Sequence, residues 1–166
     1  YFNDDKNQII EIICLSFCLL FFLNVETFSV INNNFKYLSL RNSKVNVRIA
    51  PSQTSPIKWI YEKKGLPVLI IDEYYNWRKI KDFENDSGWV HVSQLSKKRS
   101  VLFIEDNVLI FSKPTNYSKP IYRISKLEVA TIARCDLEWC KVKNNIFSGW
   151  VKKNSLWGLN KKEIMN

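Results

Sequence analysis

Val45, Val47 and Ile49 alternate with Asn46 and Arg48, the period-two pattern of a strand with one buried face. The next stretch, APSQTSP at 50–56, is rich in turn formers and ends that strand. Ile57 to Tyr61 predicts a second strand, and EKKG then turns at Gly65, a residue that tolerates a left-handed backbone. Pro67 to Tyr75 is long, apolar and β-branched, and a tight turn at Tyr75 and Asn76 leads into Trp77 to Phe83. After the turn ENDSG, Gly88 to Val92 forms the last strand, and VSQL predicts a single helical turn that tucks Leu95 under the core. Five strands in fewer than about sixty residues are too few for two full sheets; they curl into a small, partly closed barrel that also hides strand edges.

The pattern then repeats. SGWVHVSQL at 87–95 returns as SGWVKKNSL at 148–156, and NWRKI at 76–80 returns as EWCKV at 138–142. Trp77 and Trp139 lie 62 residues apart, Gly88 and Gly149 61, Val47 and Ile110 63, Pro51 and Pro114 63, and Leu95 and Leu156 61. A near-constant spacing of five anchors defines two copies of one unit, placed at 37–96 and 100–158. The connector, Ser96 to Arg99, is too short for free motion. Units below about 60 residues are marginal alone, which favours packing of one copy on the other. In the shared SGWV phrase the glycine is expected to make the turn and the tryptophan to cap or line a small core. Asn160 to Asn166 is expected to fray.

Ahead of the repeats, residues 9–23 read IIEIICLSFCLLFFL, with twelve uncharged residues from Ile12 to Leu23. That is shorter than the ~20 residues of a bilayer-spanning helix but within the ~7–15 of an export-signal core. Residues 1–29 are therefore read as a signal peptide that contacts the membrane during export, with cutting after Ser29 in Thr27-Phe28-Ser29. An uncleaved membrane anchor and a buried helix are the other two readings. Export places the remainder in the periplasm or otherwise outside the cytoplasm.

The chain of 166 residues carries a formal net charge of +9, and residues 1–29 hold four acids and only one lysine. The repeats are thus more basic than the whole. A basic balance draws anionic partners: membrane lipid, acidic polymer or nucleic acid. Scattered lysines on a solvated surface account for the same composition.

Candidate chemistry is sparse. Cys14 and Cys18 lie in the hydrophobic segment, whereas Cys135 and Cys140 flank a polar turn between two short strands in ARCDLEWCKV. A disulfide closes there if the Cα atoms face each other at about 5.5 Å, and an oxidising compartment permits it; two reduced cysteines are the alternative. One CxxxxC pair does not complete a metal site. His91, the single histidine, lies on Trp89's side of its strand and reads as a rim residue; a thiol–imidazole pair with Cys135 or Cys140 would compete with the disulfide. Asp72, Glu73, Asp82, Glu84 and Asp86 sit in turns or strand ends, without the opposed-carboxylate setting of a glycosidase. There is no phosphate loop, zinc signature or dinucleotide fingerprint in the sequence. No catalytic residue, metal or cofactor is expected.

VNVRIAP at 45–51, GLPVLII at 65–71, WRKI at 77–80, GWV at 88–90 and Leu95 together resemble the pattern of bacterial SH3-like (SH3b) domains. In the second copy VLIFSKP at 108–114 lacks the asparagine and arginine, and KLEVATI at 126–132 lacks the glycine, while WCKV at 139–142 and GWV at 149–151 hold. The chain also resembles exported alphaproteobacterial proteins made of two such domains and little else. The resemblance implies an all-β fold, with two small SH3-like partly open barrels in tandem after the signal or anchor segment. It implies a non-catalytic cell-envelope binding module, with a groove near the barrel mouth for peptidoglycan or its peptides. In this chain the groove candidates are Tyr61, Tyr74, Tyr75, Trp77 and Trp89 in the first unit, with Arg48, Lys58, Lys79 and Lys81 as cations, and Tyr122, Trp139 and Trp150 in the second. A structural adaptor for another envelope protein, docking through an open strand edge, is the second reading. Nucleic-acid binding by stacked bases is the third, and export argues against it.

Overall fold

The computed structural model describes residues 36–165. The expected signal or anchor at 1–29, with Cys14 and Cys18, lies outside the described residues.

The first repeat contains seven strands rather than five. They are β1 (Lys36–Leu40), β2 (Val45–Arg48), β3 (Ile57–Tyr61), β4 (Pro67–Tyr74), β5 (Trp77–Lys81), β6 (Ser87–His91) and β7 (Leu95–Ser96). All pair antiparallel, in the order β3-β2-β6-β5-β4-β1-β7. The second repeat copies this with β8 (Ser100–Phe103), β9 (Val108–Phe111), β10 (Pro120–Ile124), β11 (Val129–Cys135), β12 (Trp139–Lys143), β13 (Ser148–Lys152) and β14 (Leu156–Trp157), in the order β10-β9-β13-β12-β11-β8-β14. The two extra strands, β1 and β7, pair with each other and join onto β4. Between β6 and β7 the expected helical turn is a 3-10 turn over Val92–Gln94, and Leu95 behind it is buried.

Each curled sheet closes on one apolar cluster. Leu40, Val45, Val47, Val68, Ile80, Val90 and Leu95 fill the first. Val101, Phe103, Ile110, Val142, Phe147 and Val151 are among those filling the second. Strand β8 serves both. Its alternation sends Val101 and Phe103 into the second cluster and Leu102 into the first. Around this shared strand the two barrels are pinned together. Ser100 donates its hydroxyl to the Gly65 carbonyl at 2.6 Å, and Trp157 meets Tyr37 edge-on at 5.4 Å. Gly158, at φ 107°, lies so close to Pro67 that a Cβ there would come within 2.7 Å of the proline ring.

The SGWV glycines do not make turns. Neither Gly88 nor Gly149 has positive φ, and both lie inside strands. A Cβ on Gly88 would meet Val47 Cγ1 at 2.4 Å, and one on Gly149 would meet Ile110 Cγ2 at 2.4 Å and the Phe111 carbonyl oxygen at 2.8 Å. Glycine stands there because a neighbouring strand lies against the position. The turns themselves are organised by Asp82, whose Oδ1 accepts from the amides of Glu84 and Asp86, and by Asn144, whose Oδ1 accepts from the amides of Ile146 and Phe147.

Gly65 does have the expected left-handed backbone, at φ 78°. The second copy places Leu127 at the corresponding turn, and it takes the same conformation, at φ 67°. The missing glycine was therefore replaced without remaking the turn.

The expected fraying of Asn160 to Asn166 is corrected for the described part, residues 160–165. Arg99 forms a two-pronged ion pair with Glu163. Buried Lys153 donates to the carbonyls of Glu163 (2.6 Å) and Lys161 (3.4 Å). Met165 exchanges both backbone hydrogen bonds with Cys135, at 2.8 and 2.9 Å. Burial alone would raise the Glu163 pKa, but the bonds from Arg99 and the Asn160 amide, with the charges of Arg99 and Lys153, hold it below the usual glutamate range. The tail is a strap along the second barrel.

Candidate functional site

Register decides which candidate side chains meet. Directly paired residues in a sheet put their side chains on one face. In the first barrel Arg48 pairs with Trp89, Trp89 with Lys79, and Lys79 with Asp72. Val47, Ile80 and Val90 point into the core from the same strands, so this row lies on the outer face. The next row on that face holds Tyr74, Trp77 and His91. Trp89, Arg48 and Lys79 are half-buried, and Tyr74 and Tyr75 stand exposed at the β4–β5 hairpin tip, their rings edge-on at 4.8 Å.

Trp77 shares the face but not the exposure. It is 8% exposed, with its ring edge-on to His91 at 5.3 Å. His91 is tied in turn to Ser93, 2.8 Å from its Nδ1, where it caps the 3-10 turn.

Tyr61 belongs elsewhere. It pairs with Val45, on the core side, and its hydroxyl donates to Asp82 Oδ2 at 2.6 Å. Burial first, and then the bond to the Asp82 carboxylate, push its ionisation well above the usual tyrosine range. The structure does not bring Tyr61 together with Trp89 and Tyr74; it fixes the turn that Asp82 organises. Replacing Tyr61 by phenylalanine strands a buried carboxylate oxygen and is expected to lower stability by about 1–3 kcal/mol, read by urea denaturation.

The second barrel presents the equivalent outer row as Phe111, Trp150, Lys141 and Arg134. Two changes matter. Phe111 stands where the first copy has Arg48, and its ring meets Trp139 edge-on at 5.5 Å. Arg134 stands where the first copy has Asp72, so two cations face each other directly across β11 and β12. Trp139 is 5% exposed, with the Lys152 ammonium 5.6 Å above its ring, while Trp150 is half-buried on the surface. Tyr122 pairs with Ile110 on the core side and tilts against Phe147, apart from Trp139 and Trp150.

Cys135 and Cys140 are opposed across β11 and β12 with Cα atoms 4.1 Å apart, and they form a disulfide buried in the second core. No thiol is left there for His91. Among the described residues no cluster of histidine, cysteine and carboxylate side chains is placed to hold a metal.

One further feature leaves no mark in the sequence. Where the barrels meet there is a groove of about 640 Å³, lined by Arg41, Lys63, Lys64 and Gly65 of the first barrel, by Lys98 of the connector, and by Glu128, Thr131 and Asn145 of the second. Its residues come from turns and from the strands β1, β7, β8 and β11, and only the packing of the repeats brings them together.

The fold and faces define a pair of fused SH3-like barrels, each carrying a half-buried tryptophan among cations on its outer surface. A family model described as bacterial SH3 domain matches residues 41–97 and 105–158, and the chain belongs to that family. No curated protein matches it. Among solved structures it is similar to NlpC2 from Trichomonas vaginalis, at 11% identity over 75% of this chain and 48% of that one, with a TM-score of 0.35. It is also similar to NlpC1 from Trichomonas vaginalis, at 10% identity over 74% of this chain and 45% of that one, with a TM-score of 0.34. The chain thus spans about half the length of these structures.

Proposed function

We propose that the protein is a non-catalytic, exported binding module that recognises cell-wall polymer, peptidoglycan or its peptides, on the outer faces of its barrels. The observation that carries this reading is the row of a half-buried tryptophan beside a cation, present in both copies: Trp89 between Arg48 and Lys79, and Trp150 beside Lys141, with Arg134 one strand beyond. An indole held at that depth offers a flat apolar face for a sugar ring or peptide side chain, and the neighbouring cations meet carboxylates.

The test is co-sedimentation with purified, protein-free cell wall at moderate salt. Retention is expected to fall by about tenfold, or ~1.4 kcal/mol, in Trp89→Ala with Trp150→Ala. Undiminished retention in that double variant refutes the assignment of the faces. A second reading, an adaptor for another envelope protein, is favoured by β3, an edge strand with Ile57 and Ile60 45% and 41% exposed. It predicts no retention on wall stripped of protein.

A further inference from the structure

The groove between the barrels has four cations and one acid among its lining residues: Arg41, Lys63, Lys64 and Lys98 against Glu128. Among the described residues none of these four cations is in an ion pair. The Arg41 Nε–H is spent on the Leu95 carbonyl, and Lys63 crosses the junction to the Leu127 carbonyl at 2.5 Å. The ammonium groups of Lys64 and Lys98 have no partner among the described residues.

The walls are fixed before any ligand arrives. Ser100 bonds to Gly65, Gly158 abuts Pro67, and Leu102 is locked into the first core, so the two sides of the groove cannot drift apart without unpacking β8. A volume of about 640 Å³ lies within the usual ~300–1,000 Å³ of a ligand site and far exceeds a single small anion. The charges come from three separate segments, the end of β1, the β3–β4 turn and the connector. Like charges lining one concave surface focus a positive potential.

We propose that the inter-barrel groove is a second binding site, separate from the tryptophan faces, for an extended polyanion bearing several carboxylates or phosphates. Neither barrel contains the site alone. Lys64 and Lys98 make direct contacts to the anionic groups, and exposed Ile146 and half-buried Val129 give the groove an apolar flank.

Two probes test this with the intact protein: a short poly-glutamate chain for carboxylate and a short inorganic polyphosphate for phosphate. Reversing two groove charges, Lys64→Glu with Lys98→Glu, is expected to weaken binding of the preferred probe by about tenfold or more, whereas Lys113→Glu with Lys119→Glu, an equal change of net charge on the β9–β10 loop, should leave most of it. Amide shift changes on titration should cluster at Lys64, Gly65, Lys98 and Asn145. The probe that binds tighter identifies the anionic group. Equal losses in the two double variants, shifts centred on Trp150 and Lys141, or no binding of either probe would overturn the groove site. The wall-binding reading is decided separately, by Trp89→Ala with Trp150→Ala on cell wall.

Discussion

Replacing Leu102 by alanine is expected to weaken the first barrel, although Leu102 belongs to the second repeat. The side chain is 1% exposed and sits among Leu40, Val45, Val68 and Ile80, while its neighbours Val101 and Phe103 point into the other core. Removing a buried leucine side chain typically destabilises by about 2–5 kcal/mol, through lost transfer free energy and the cavity left behind. The strand around Leu102 is fully buried and bridges both cores, so the cavity has little room to collapse. Hydrogen exchange separates the barrels: amides of Val47 and Val90 report on the first, those of Val142 and Val151 on the second. Both sets should lose protection together, because unpacking β8 opens both clusters. Loss confined to the second barrel would mean that Leu102 contributes little to the first.

The second large effect divides the four outer-face tryptophans into two kinds. Trp139→Ala is expected to cost about 3–5 kcal/mol, the range for removing a buried tryptophan, and Trp77→Ala to behave alike. Trp139 is enclosed by Phe111 and Lys152, and Trp77 by His91. Trp150→Ala and Trp89→Ala take away half-buried rings and should shift stability much less. Thermal unfolding followed by circular dichroism makes the comparison. Lost wall retention in Trp77 or Trp139 variants would then report unfolding, and only the Trp89 and Trp150 variants read the surface. A Trp139→Ala protein as stable as the parent would remove this division.

The repeat made most of the architecture legible. Alternation at 45–49, the glycine turn at 65 and the recurring WRKI and GWV phrases placed strands β2 to β6 within a residue or two. Other features depend on partners distant in the chain and carry no local mark. Strand β1, KYLSL, becomes a strand because β4 and β7 pair on its two sides. Gly88 looks like a turn residue until β2 is laid against it. The tail strap depends on Arg99 and Glu163, 64 residues apart. At the site, sequence identified aromatic residues but not the side of the sheet they occupy. Tyr61 and Tyr122 fall on the core side only because they pair with Val45 and Ile110. The groove was invisible for the same reason: each copy carries half of it.

Strand β8 also imposes an order of events on a chain made from its N-terminus onward. When only residues through Ser96 are free to fold, every strand of the first barrel is available, yet the place of Leu102 in its core stands empty. Domains commonly fold as units while synthesis continues. Here the first barrel stays incompletely sealed until the opening strand of its neighbour joins it, so the first half is finished by a piece of the second.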